Sequence, residues 1–162
     1  MRCSWLAAAA LLLSSAVSLS AADDVIRPGE LWPDDRGLHI QAHGGGVILV
    51  DGVYYWFGAD SSLGLDRTKR YVACYSSEDL IHWKFRNRVL QLSDPEQFGS
   101  NWVLERPKVF HNKKTGKFVM YMHVDATLPG TYGYGLARVA IAVADSVDGD
   151  YQYVRSFRPL GQ

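Results

Sequence analysis

Cysteine is nearly missing from this sequence: Cys3 and Cys74 are the only two among 162 residues. Cys3 lies in an N-terminal stretch expected to be removed, so no intrachain disulfide is open to the remainder and stability has to come from packing. An excess of charge is missing too. Seventeen basic residues balance seventeen acidic ones, which leaves no electrostatic footprint for nucleic acid or an anionic membrane surface. There is no N-x-S/T sequon, H-E-x-x-H, C-x-x-C or G-x-S-x-G. Glycosylation, zincin, thiol-redox and nucleophile-elbow chemistry therefore find no foothold. Helical periodicity is scarce after the N-terminus.

One apolar run exists, Leu6 to Leu13, preceded by Arg2 and followed by the small residues Ser18, Ser20 and Ala22. It is well short of the roughly 20 residues that a spanning helix needs. Residues 1–22 are therefore expected to be a signal peptide, cleaved between Ser20 and Asp23, and the mature protein to be extracellular or periplasmic without a membrane anchor.

What the sequence does have is aromatics, with nine Tyr, six Phe and five Trp, and short alternating runs bounded by turn residues, the mark of strands. Val47–Val50 and Val53–Phe57 flank Asp51-Gly52, a strong hairpin signal because a type I′ turn needs positive φ twice. Tyr71–Tyr75 and Ile81–Phe85 form a second predicted pair around the turn Ser76 to Asp79. The order then recurs: Val109–His111 with Lys117–Met122, then Val139–Ala144 with Tyr151–Val154. Val47 and Val109 stand 62 residues apart, and Val72 and Val139 stand 67 apart. A four-strand unit occurring twice predicts two blades of a β-propeller, the second with a longer insertion. Closed propellers use about four to eight blades, so residues 23–162 are expected to be the N-terminal part of a longer ring. A compact β-sandwich is the alternative.

The stretch "HIQAHGGGVILVDG" places three glycines directly before a strand. It matches neither nucleotide loop pattern, since no helix follows it. In a propeller the innermost strand of each blade lines the axis, where bare backbone admits a ligand or a neighbouring blade. Gly44, Gly45 and Gly46 are then expected to floor a pocket, with Gln41 and His43 pointing into it. At the matching place of the second unit stands "VLERPKVF". Glu105 and Arg106 are costly to bury unless they pair or do chemistry, and Pro107 is expected to hold Arg106 extended; an ion pair between blades is the structural alternative. In "MYMHVD", alternation puts Tyr121, His123 and Asp125 on one face. His39 and His43 have the spacing of a helical metal pair, but the glycines exclude a helix and no third ligand is evident. No metal and no cofactor is expected.

Together "HIQAHGGGVILVDGVYYWFG", "VACYSSEDLIHW" and "LERPKVFHNKKTGKFVMYMHVD" resemble glycoside hydrolase family 43, in its exo-β-1,3-galactanase (galactan 1,3-β-galactosidase) branch. The resemblance spans residues 32 to 145. It implies a five-bladed propeller, of which two blades are present, that hydrolyses glycosidic bonds with inversion. Inversion needs an acid and a base held apart by a water molecule. The family's usual first-blade Asp base has no counterpart here, where Gly44 and Gly45 stand, as in the galactanase branch. Glu105 matches the second-blade carboxylate that tunes and orients the general acid, and the acid itself is a third-blade Glu beyond Gln162. Gln41, His43, Gly45, Asp60, Arg106, His123 and Asp125 are implied as substrate-binding or supporting residues. The branch usually carries Glu after "YYWYG", whereas Ala59 follows Gly58 here, so a sugar contact is expected to be lost or moved to Asp60. The implied partner is a poly- or oligosaccharide and the full-length protein a monomer. An α-L-arabinofuranosidase or β-xylosidase, and a non-catalytic carbohydrate-binding propeller, remain alternatives.

Overall fold

A computed structural model describes residues 25–127, 129–130 and 135–161. The expected signal segment, residues 1–22, lies outside them. Eight strands make two antiparallel sheets, each in sequence order. The first contains β1 (His43–Val50), β2 (Val53–Asp60), β3 (Lys69–Ser77) and β4 (Lys84–Ser93). The second contains β5 (Val103–Asn112), β6 (Lys117–Asp125), β7 (Arg138–Ala144) and β8 (Gln152–Phe157). Two successive meanders of four strands are two blades of a β-propeller.

The turns carry the expected chemistry. Asp51 and Gly52 both take positive φ, 49° and 83°, as a two-residue hairpin of this type requires. The fourth strand differs from expectation. Ile81–Trp83 belong to the turn, because Asp79 Oδ1 accepts hydrogen bonds from the Ile81 and His82 N–H groups, each at 2.8 Å, and Leu80 sits at φ 67°. The strand begins only at Lys84 and runs to Ser93.

The main core lies between the sheets. Phe57, Val72, Cys74, Val89 and Leu90 from the first meet Leu104, Val109, Met120, Met122 and Val124 from the second. Ala140, Ala142 and Ala144 on β7 are buried as well. Their small side chains let the sheets close together. Beyond this core, the Tyr151 N–H donates to the Val89 carbonyl at 2.7 Å, and Arg86 pairs with Asp148 at 2.8 Å. Cys74 is fully buried, and burial pushes its thiol pKa up, so it has no thiolate chemistry to offer.

The outward faces differ. On the first sheet Tyr54, Trp56, Ala73 and Tyr75 pack under Trp32, Ile40 and Ala42 of the N-terminal segment, with Trp56 stacked edge-on to Trp83 at 5.1 Å. On the second sheet Phe110 and Tyr121 touch edge to face at 5.9 Å, yet Phe110 remains 57% exposed.

Candidate active site

The innermost strands, β1 and β5, carry the same irregularity. In β1, His43 faces Ala59 and Gly46 faces Phe57, so three steps on one strand match two on the other. In β5, Glu105 faces His123 and Lys108 faces Tyr121, again three against two. Each is a β-bulge, one extra residue that bends its strand and re-aims the neighbouring side chains. The bulged positions are Gly44 and Arg106, at φ 61° and 54°, and 62 residues separate them, the offset read from the sequence. Pro107 therefore does not hold Arg106 extended: the bulge places it in the left-handed region, at a cost of about 1–2 kcal/mol for a residue with a Cβ.

The two bulges meet. A Cβ added to Gly44 would stand 3.0 Å from Arg106 Cγ and 3.5 Å from its Cα. One on Gly46 would stand 2.7 Å from Lys108 Cδ. Gly45 is closed on the other side, where a Cβ would fall 2.3 Å from the Phe57 carbonyl oxygen and 2.5 Å from Trp56 Nε1. Gly44 and Gly46 thus let the backbone pass close to the neighbouring blade and Gly45 lets it lie against its own sheet, so the three glycines do not floor an open pocket as expected but form part of the wall between the blades. Lys108 completes the seam, its ammonium donating to the carbonyl oxygens of Gly44 at 3.0 Å and Gly45 at 2.9 Å. The sequence reading missed this lysine. Its signal is a cation placed two residues after the bulge and opposite bare carbonyls.

From this seam rises a line of polar side chains. Glu105 Oε2 lies 3.8 Å from His123 Nδ1, and His123 Nε2 lies 3.0 Å from Asp125 Oδ2. Glu105 and His123 are cross-strand partners, and His123 and Asp125 are two apart on β6, so one sheet face holds all three. The group beside the Glu105 carboxylate is the His123 ring rather than the Arg106 guanidinium. Asp125 is 1% exposed. Burial raises its carboxyl pKa, but N–H groups of Leu136 and Ala126, the His123 ring and the Ala137 N–H outweigh burial and hold it below the ordinary range. The Asp125 carboxylate, fixed by these donors, orients the imidazole that stands beside Glu105. His43, one residue before the bulge in β1, is exposed and chain-adjacent to the Gly44–Arg106 contact. Gln41 is half-buried, its N–H donating to the Tyr75 hydroxyl at 2.9 Å.

Asp60 stands apart. It lies one residue past Ala59 on β2, its side chain is 2% exposed, and Arg88 Nε reaches one oxygen at 2.8 Å. Ser62 takes the other through its N–H at 2.9 Å and its hydroxyl at 2.5 Å. The carboxylate is committed within its own blade.

Solved structures place the chain. It is 44% identical over 79% of its length to a family 43 β-1,3-galactosidase solved with galactodeoxynojirimycin, at a TM-score of 0.66. It is 39% identical over 82% to an exo-β-1,3-galactanase from Phanerochaete chrysosporium solved with galactose, at 0.72. The exo-β-1,3-galactanase of Clostridium thermocellum is 40% identical over 82%, at 0.66. The chain belongs to glycoside hydrolase family 43. It spans 37%, 30% and 27% of the lengths of these three relatives. No protein-family model matches the chain, and no curated protein does. Within family 43, this pair of blades supplies the Glu105–His123–Asp125 line and the seam that positions it.

Proposed function

We propose that this chain is the N-terminal part of a secreted glycoside hydrolase that releases galactose from β-1,3-linked galactan with inversion of configuration. The observation that carries the reading is the Glu105–His123–Asp125 line, anchored at the meeting of two equivalent bulges. The galactanase and galactosidase relatives support the substrate class.

In this reading Glu105 does not itself protonate the leaving oxygen. It orients the general acid and raises its pKa by placing a second carboxylate nearby, as paired carboxyl groups do when their environments push them apart. The acid comes from a part of the propeller outside residues 25–161, over the open face that holds Glu105 and His123. Water attacks the anomeric carbon from the opposite side of the ring, which inverts it. Gln41, His43 and Arg106 bind sugar hydroxyls. Export follows from residues 1–22, and the working enzyme is a monomer without cofactor.

Two measurements on the full-length enzyme test this. Proton NMR of freshly released galactose is expected to show the α anomer first, and initial β anomer rejects inversion. Glu105→Gln is expected to lower kcat about 100-fold, the scale of a lost acid–base function, with an unchanged melting temperature. Turnover within two-fold of wild type removes Glu105 from the reaction.

A further inference from the structure

The pairing of His43 with Ala59 puts the start of β1 and the end of β2 at the same edge of the first sheet. The β2–β3 connection, residues 61–68, therefore leaves from the end where the bulges meet. Beneath it is a cavity of about 290 Å³, lined by Asp60, Ser62, Asp66, Arg67, Lys69 and Arg70 and reaching Leu104, the residue before Glu105.

Its acids are engaged within the fold, and of its cations only Lys69 stands near one of them, at 4.0 Å from Asp66. Asp60 is taken by Arg88 and Ser62, as above. One oxygen of Asp66 accepts the Thr68 N–H at 2.9 Å and the Thr68 hydroxyl at 2.6 Å, and the other lies 4.0 Å from Lys69 Nζ. The Arg70 guanidinium donates only to carbonyl oxygens: Trp102 at 2.9 and 2.5 Å, Arg67 at 2.8 Å and Lys69 at 2.9 Å. These dipoles satisfy its N–H groups without cancelling its charge. Arg67 is exposed; burial depresses the Arg70 pKa, the Asp94 carboxylate opposes that shift, and the Arg67 charge adds to it. Two turns fix the loop, Asp60 to Ser62 and Asp66 to Thr68, and Arg67 lies inside the second of them, among the residues lining the cavity. A neutral sugar would call for balanced donors and acceptors. This cavity offers mainly cationic donors in a recess where field lines concentrate.

We infer that the cavity beneath the β2–β3 connection binds an anionic substituent on the polysaccharide, a sugar carboxylate or sulfate ester, next to the galactose held at Glu105. This rests on the proposed galactan activity and adds a charged side-chain preference to it. Arginine suits both anions because its planar fork matches two oxygens at once.

The test uses the full-length protein, with calorimetric binding read in the slow Glu105→Gln background and hydrolysis in the unaltered enzyme, for three probes: β-1,3-galactobiose, the same disaccharide bearing one glucuronate, and the same bearing one 6-sulfate. At low salt one acidic probe or both are expected to bind about 10-fold tighter than the neutral one, the scale of a charge-assisted hydrogen bond, and the two acidic arms tell carboxylate from sulfate. The preference is expected to shrink in 0.5 M NaCl and to vanish in Arg67→Glu, whose hydrolysis of neutral galactobiose stays at wild-type rate. Equal binding of all three probes, or an acidic preference untouched by Arg67→Glu, overturns the inference. Absence of neutral hydrolysis in the wild type overturns the proposed activity instead, and the binding comparison still decides the subsite.

Discussion

The two sheets share strand order, hairpin logic and a bulge at the same point of the innermost strand, yet they equip that point differently. In the first sheet the bulge is glycine, preceded by His43 with Ala59 across from it. In the second it is Arg106, preceded by Glu105 with His123 across from it. One copy keeps the backbone bare so that blades can close, and the other mounts the charged groups. The first sheet is also covered on its outward face by Trp32, Ile40 and Ala42, while the second leaves Phe110 and Tyr121 exposed around its polar line. A duplicated scaffold can thus divide its labour, with one repeat giving closeness and the other chemistry.

The sharpest way to break this comparison is to give the bare copy side chains. Gly45→Ala would push a methyl against the Phe57 carbonyl and Trp56, at 2.3 and 2.5 Å. It is expected to cost about 3 kcal/mol, read as a lower urea midpoint at unchanged slope. A second test acts on the anchor of the polar line. Asp125 has its pKa lowered in the fold, so its stabilisation is complete above the unfolded value of about 3.9 and is lost as pH falls through the lower folded value. Melting temperature against pH is expected to fall less steeply below pH 4 in Asp125→Asn, which should also be less stable at pH 7 by about 2 kcal/mol, because an amide cannot accept from all the donors around it. The smallest effect is the most diagnostic. Gly44→Ala is expected to destabilise by about 1 kcal/mol, whereas Arg106→Gly relieves left-handed strain, partly offset by unfolded-state entropy, for a net gain of about 0.5 kcal/mol. Opposite signs at equivalent positions, measured by chemical denaturation, would establish that the second bulge is strained for function.

Much of this was legible beforehand. Asp51-Gly52 fixed the first hairpin through turn geometry, and the 62-residue offset aligned His43 with Glu105 correctly because the bulge is repeated along with the strands. Besides Lys108, three things were not legible. Ile81 looked like the start of a strand, but Asp79 captured its N–H and Trp83 went into an aromatic cluster instead. Arg106 gave no sign of positive φ, since only glycine announces that conformation in a sequence and the following proline argues for an extended chain. Asp60, next to the missing carboxylate position at Ala59, could not be separated from a sugar ligand until Arg88 was found beside it, because that partner lies on β4, 28 residues away.

The most direct measurement of the central claim is a crystal structure of the full-length enzyme with a β-1,3-galacto-oligosaccharide bound. The account predicts a galactose ring seated over the Gly44–Arg106 contact, with a Glu105 oxygen within about 3 Å of a sugar hydroxyl or of the acid that protonates the leaving group. A ring bound away from that contact, with Glu105 engaging only His123, would contradict it.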